Sequence, residues 1–235
     1  MTRMSAETPT TMTSTRGDTT REALIRAAIE IFGRDGFGAA STRAISESAG
    51  VNQALIGYHF GGKPGLYLAA LKFIADSVTA RMGPLVGAIE TELGADEATS
   101  ASEKSARRAL ALLHGLTDAL VQMLTSDESS AWARLILREQ QDPSEGFDVL
   151  YENVMHRILG VTARLVARVR GGEAASEQCK LTALTIVGQA LVFRAARAAV
   201  LREMGWKRLA PAEIDAIKAE LRRNVAAILE AENSR

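Results

Sequence analysis

The stretch STRAISESAGVNQALIGYHF, Ser41 to Phe60, decides how the chain is read. Ser41 and Thr42 are helix-capping residue types, Gly50 is a helix stop, and Asn52 is placed to cap a further helix running to about Phe60. Two short helices meeting at a tight turn have the layout of a helix-turn-helix, whose second helix enters a DNA major groove. At about 100° per residue, Asn52, Ile56 and Phe60 fall on one face of that helix. Ile56 and Phe60 are expected to bury against the two preceding helices, helped by Val51. Ala54, Leu55, Gly57 and Tyr58 then point away, with Gln53 and His59 on the flanks. The outward face carries two very small residues, one leucine, one tyrosine and no charge. Gly57 costs a helix about 1 kcal/mol relative to alanine, and close approach of the backbone to base edges supplies a reason for it.

Outward from this motif the chain reads as all-α. Residues 1–17 form a polar, threonine-rich tail expected to be disordered. Asp18 or Thr19 opens a first helix that buries Leu24, Ala27, Ala28, Ile31 and Phe32 and ends at Gly36 and Gly38. Pro64, Pro84, Pro143 and Pro211 each precede a helix-patterned run, where a missing N–H costs nothing. Helices are expected at about 63–82, 84–93, 102–125, 127–140, 144–170, 175–204 and 211–232. The organisation is a DNA-binding head (18–78, motif 41–60) and a larger helical body (79–235).

Composition narrows the classes. The 235 residues hold 28 basic and 28 acidic side chains, and residues 1–63 hold seven basic against six acidic. No charge-segregated module is present, so phosphate affinity has to come from a few placed groups. The lone Cys179 excludes an intramolecular disulfide framework and reads as inert. Three separated histidines give no metal-ligand spacing, and His114 among leucines reads as a core residue. No apolar secretory segment and no bilayer-length run stand out, so a soluble, cytoplasmic protein without membrane contact is expected. Gly57 to Lys63 fits most of a phosphate-binding loop, but Pro64 removes the magnesium-binding hydroxyl and the loop follows a helix. No catalytic constellation and no cofactor motif is apparent, so the chain reads as a non-enzyme without a cofactor. A helical adaptor is the alternative, and an all-α enzyme a weaker one.

Residues 20–67 resemble the DNA-binding head of the TetR/AcrR family of bacterial transcriptional repressors. The likeness is carried by Ala27-Ala28-Ile29-Glu30-Ile31-Phe32, Gly36-Phe37, Ser41-Thr42-Arg43-Ala44-Ile45, Ala49-Gly50-Val51 and Tyr58-His59-Phe60-Gly61-Gly62-Lys63. The resemblance implies three DNA-binding helices followed by a body that dimerises and encloses a ligand. It implies a phosphate contact by Thr42, base reading by Gln53, Ala54, Leu55 and Gly57, a phosphate or base contact by Tyr58 or His59, and a phosphate clamp at Lys63. Gly57 stands where the family commonly has tyrosine, and Pro64 where it commonly has glutamate. Gln53 suits a bidentate adenine contact and Leu55 a thymine methyl. Arg3 and Arg16 are candidates for a minor-groove contact.

Arg138-Glu139-Gln140-Gln141-Asp142-Pro143, with Phe147 and Tyr151 after it, resembles the CecR-type branch of that family, which implies control of drug-efflux or drug-response genes. Trp132, Arg138, Gln141, Phe147, Tyr151 and His156 are the candidate pocket for a small-molecule inducer. The alternative is an ion pair by Arg138 and Glu139 with a neighbour and aromatics in the core. Leu184, Gly188, Leu191, Ala195 and Ala198 trace an uncharged stripe suited to a homodimer interface, or else to burial within one subunit. A dimer places two recognition helices about 34–36 Å apart on a palindromic operator of double-stranded DNA.

Overall fold

The structure is a computed structural model describing residues 16–96 and 102–230. Among the described residues it is helical throughout, in the order α1 (Arg16–Ala39), α2 (Thr42–Ala49), α3 (Ala54–Phe60), α4 (Lys63–Asp96), α5 (Glu103–Thr125), α6 (Ser129–Gln141), α7 (Glu145–Leu150), a π turn (Tyr151–Met155), α8 (His156–Arg170), α9 (Glu177–Ala195), α10 (Arg197–Glu203) and α11 (Pro211–Glu230). The all-α expectation holds. The predicted tail lies outside the described residues up to Thr15, and Arg16 and Gly17 already belong to α1. Arg3 also lies outside them.

Local chemistry sets the head. α1 breaks at Gly36, whose φ is 79°. The Ser41 hydroxyl accepts from the Ala44 N–H at 3.0 Å and opens α2. Gly50, in the left-handed region at φ 67°, closes it while its N–H donates to the Glu47 carbonyl at 3.1 Å. A side chain at Gly50 would be strained by that backbone, which explains the glycine at the centre of the turn. Asn52 caps α3, its Oδ1 accepting from the Ala54 N–H at 2.8 Å. Asn52 is itself exposed, so the buried face of α3 is carried by Ile56 and, in part, Phe60. Leu24, Phe32, Ile45 and Leu66 are fully buried around them, each contributing about 1.5–3 kcal/mol.

Three expected boundaries differ. α4 runs unbroken past Gly83 and Pro84, and the expected head–body division at 78/79 falls inside it. A proline inside a helix costs about 3 kcal/mol or more. Its neighbours continue one buried stripe, Ala70, Ile74, Val78, Met82, Val86, Ile89 and Leu93, whose burial exceeds that cost. The helix expected over 144–170 holds a π turn in its first half, where Asn153 presents its carbonyl to the Thr79 hydroxyl at 3.4 Å. The helix expected over 175–204 bends by 78° after Ala195. No single described helix is long and apolar enough to cross a membrane.

Head and body share one hydrophobic core. α6 docks on α1 by an Arg134–Glu30 ion pair at 2.7 Å. Arg138 adds bonds from Nε to the Gly33 carbonyl (3.1 Å) and from Nη2 to the Arg34 carbonyl (2.8 Å). Both carbonyls lie in the last turn before the Gly36 break, so a guanidinium from the body satisfies acceptors that the helix end leaves open.

Candidate nucleic-acid interface

The outward face of α3 is largely as the sequence implies. Ala54, Gly57 and Tyr58 are exposed, Tyr58 to 82%. Leu55 departs from the expectation, because it is half-buried and packs against the core. The helix is only seven residues long and packs against α4, with Ile56 buried and Leu55 partly so. A Cβ built on Gly57 meets nothing within 4 Å. Among the described residues nothing therefore requires glycine there.

The polar candidates are already engaged with one another or with the head. Gln53 Nε2 donates to Thr42 Oγ1 at 2.8 Å. One amide N–H is used, and the second N–H and Oε1 remain for a base edge. Thr42 thus braces the start of α3 in addition to the phosphate role the resemblance implies. His59 is half-buried with its ring 4.9 Å from that of Tyr58, edge to face. Phe60, beside it, carries Arg21 over its ring at 5.3 Å. Lys63 opens α4, where its ammonium donates to the Gly38 carbonyl at 3.2 Å and lies 4.7 Å from the Phe37 ring centroid. Two of its N–H groups remain for a phosphate at the α4 N-terminus.

Two supports went unread in the sequence. Gly65 sits where a Cβ would run into the Phe60 carbonyl oxygen, so α4 can start this close to the end of α3 only without a side chain. Tyr67, one turn into α4, donates its hydroxyl to Glu139 of α6, which is buried and also accepts from the Ser144 N–H (3.1 Å) and hydroxyl (3.0 Å). Burial first, and then the bond to Glu139, hold the Tyr67 phenol above its usual pKa, so it stays a donor. No sequence signal marks either contact, because the partners are neither adjacent nor helically spaced.

The six candidate ligand residues do not share one cavity. Trp132 is buried beneath Arg81, whose guanidinium lies 5.2 Å from its ring. Arg138 and Gln141 line a cleft between head and body. Phe147, Tyr151 and His156 form a ladder of rings 5.8 and 5.7 Å apart along the π turn, with Tyr151 and His156 exposed. The alternative ion pair is also not formed, since Arg138 bonds carbonyls and Glu139 takes hydroxyl and amide donors. His114 is half-buried under α11, burial lowers its pKa, and its Nε2 has no hydrogen-bond partner among the described residues.

Leu184, Gly188, Leu191, Ala195 and Ala198 are all exposed, so the stripe is not buried within one subunit. Leu181 and Val192 extend it. The bend after Ala195 puts Ala198 on α10, off the axis shared by the other four.

Comparison with known proteins places the chain in a family. Residues 24–70 match the family described as bacterial regulatory proteins, tetR family. Residues 107–232 match the C-terminal domain of the HTH-type transcriptional dual regulator CecR. CecR of Shigella flexneri is 30% identical over 191 residues, covering 81% of this chain and 82% of that protein. The HTH-type transcriptional regulatory protein RaaS of Mycobacterium tuberculosis is 53% identical over 62 residues, which are 26% of this chain and 29% of RaaS. Among solved structures, a TetR-like transcriptional regulator from Rhodococcus sp. RHA1 superposes with a TM-score of 0.56 at 16% identity, covering 90% of this chain and 96% of that one. FadR of Bacillus subtilis, solved with stearoyl-CoA, superposes with a TM-score of 0.55 at 15% identity, covering 87% and 96%. The chain belongs to the TetR family of bacterial transcriptional regulators, with a CecR-type C-terminal domain.

Proposed function

We propose that the protein is a homodimeric repressor in which each protomer lays α3 in a major groove of a palindromic operator. The observation that carries this reading is the face of α3, exposed, uncharged and cut down to glycine at a position where no described residue fills the space. Gln53 is the base reader, with Thr42 holding its amide. Tyr58 and Lys63 hold phosphates, and Ala54 and Gly57 let the backbone approach. Leu55 touches a base edge with the part of its side chain left free. His59 steers Tyr58 through their ring contact.

The stripe from Leu184 to Ala195 supports dimerisation. Leu184 and Leu191 stay 52% and 46% exposed in the single chain, and so much apolar surface on one helix calls for a partner. A second copy placing its own stripe against this one forms a closed twofold contact. Release by a small-molecule inducer, and efflux or drug-response genes as targets, rest on the likeness of the body to the CecR-type branch. FadR of Bacillus subtilis shows that a protein of this fold carries a ligand, stearoyl-CoA in that case.

Two substitutions test the contact map. Lys63→Ala is expected to weaken binding to every DNA sequence and to lower the salt dependence by about one counterion per head. Gln53→Ala is expected to cost about 1–3 kcal/mol at one base pair per half-site and to relax preference there. Anisotropy titrations over a range of salt, with operator and scrambled duplexes, read both effects. If neither variant differs from wild type, α3 and the start of α4 are not the DNA-contacting surface.

A further inference from the structure

Positive charge is sparse in the head and gathered elsewhere in the chain. Residues 194–208, RAARAAVLREMGWKR, hold five basic side chains, Arg194, Arg197, Arg202, Lys207 and Arg208, against Glu203 alone. The segment is an elbow. α9 bends by 78° after Ala195, α10 follows, and Gly205, at φ 67°, turns the chain toward α11. Arg194 points inward. Its guanidinium donates to the Leu124 carbonyl at 2.6 Å, to Ser129 Oγ at 2.6 Å and to the Ser126 carbonyl, which fixes the end of α9 on the α5–α6 turn. The Trp206 N–H donates to the Leu201 carbonyl at 2.9 Å, and Trp206 and Leu209 pack on the core. The other four cations are left over. Arg202, Lys207 and Arg208 are exposed and Arg197 is half-buried, and none of the four has an ion pair or a side-chain hydrogen bond among the described residues.

Neighbouring helices place the elbow. α11 runs back along α5, with Lys218 donating to Gln122 at 2.8 Å and Arg222 to Asp118 at 3.2 Å, so α11 starts at the C-terminal end of α5. α6 leaves that same end and docks on α1 through Arg134 and Glu30. The elbow therefore lies at the end of the body that carries the head. The exposed stripe on α9 stops at Ala195, where the elbow begins. Pairing of two stripes sets two elbows side by side between the heads. Unmatched cations gathered in this way repel one another unless an anion lies against them. At this end of a dimer on its operator, the polyanion present is DNA.

We propose that the elbow is a second DNA-contacting surface, in which Arg202, Lys207 and Arg208 meet the phosphate backbone between the two half-sites. This rests on the homodimeric repressor reading and adds to it a contact made by the body. The contact positions the dimer and carries no sequence information. Each phosphate met by a Lys or Arg releases counterions, so the elbow raises affinity and salt dependence together.

The test compares the wild-type protein with a triple variant, Arg202→Gln, Lys207→Gln and Arg208→Gln, on two operator duplexes. One is natural, and in the other the phosphates between the half-sites are uncharged methylphosphonates. On the natural duplex the variant is expected to bind about tenfold more weakly, with a slope of log affinity against log salt shallower by about two. The neutral-centre duplex is expected to weaken wild type about tenfold and to leave the variant unchanged. Glutamine at three exposed sites is expected to preserve the melting temperature and the dimer mass in sedimentation. If the variant loses its dimer, wild type on the neutral-centre duplex decides alone. A variant that matches wild type, or wild type indifferent to the neutral centre, overturns the elbow contact and leaves α3 as the reader. Wild-type protein that binds neither duplex overturns the repressor reading and this contact with it. A variant unchanged on DNA but released from phosphatidylglycerol vesicles that wild type binds assigns the elbow to a membrane surface and overturns the proposal.

Discussion

Gly65→Ala is expected to destabilise the protein by about 3 kcal/mol or more and to abolish operator binding at the same time. The added Cβ collides with the backbone carbonyl of Phe60, which no rotamer change can move aside. Phe60 is fixed because the Gly61 N–H donates back to the Gly57 carbonyl at 2.9 Å, and Leu66 is fixed because its N–H donates to the Gly62 carbonyl at 3.1 Å. Relief therefore requires the first turn of α4 to leave α3. That turn carries Leu66 at 0% and Tyr67 at 7% exposure, together with the bond to Glu139. For a chain of this length the loss corresponds to a melting temperature lower by roughly 6–12 °C. Gly115→Ala serves as control, because a Cβ in the middle of α5 meets nothing within 4 Å. It is expected to gain up to about 1 kcal/mol. If both variants melt together with wild type, the contact between α3 and α4 is not the tight one described.

Gly57→Ala is expected to do the opposite to stability and the same to function. The position is helical, exposed and open, so alanine gains about 1 kcal/mol by its helix propensity. On DNA the methyl group intrudes where the backbone of α3 meets the groove, at about 1–3 kcal/mol per head. Operator affinity is then expected to fall at least tenfold while the melting temperature rises by about 2–4 °C. Paired melting and anisotropy measurements on one preparation read both signs. A variant that is more stable and binds DNA as well as wild type would show that the glycine answers to something other than DNA.

The head was legible because its signals are local. Ser41, Gly50 and Asn52 act within a few residues of themselves, and the caps they form appear where the spacing puts them. The body was legible in outline only. Pro84 read as a boundary because its penalty is local, whereas the buried stripe that overrides it runs over α4 from Ala70 to Leu93. The bend after Ala195 has no proline or glycine to announce it. Arg138 and Glu139 read as pocket or ion-pair residues because their partners lie far along the chain. Arg34 is 104 residues from Arg138, and Tyr67 is 72 from Glu139. A side chain that satisfies a distant carbonyl and one that binds a ligand are the same letters in the sequence.

Hydroxyl-radical footprinting of the wild-type protein on the DNA beside its own gene tests most directly the proposal that two copies of α3 read one DNA site. The expected result is a pair of symmetric protected patches about one helical turn apart, centred on major grooves and lost in Gly65→Ala. An unprotected fragment, or protection confined to a single half-site at saturating protein, would contradict it.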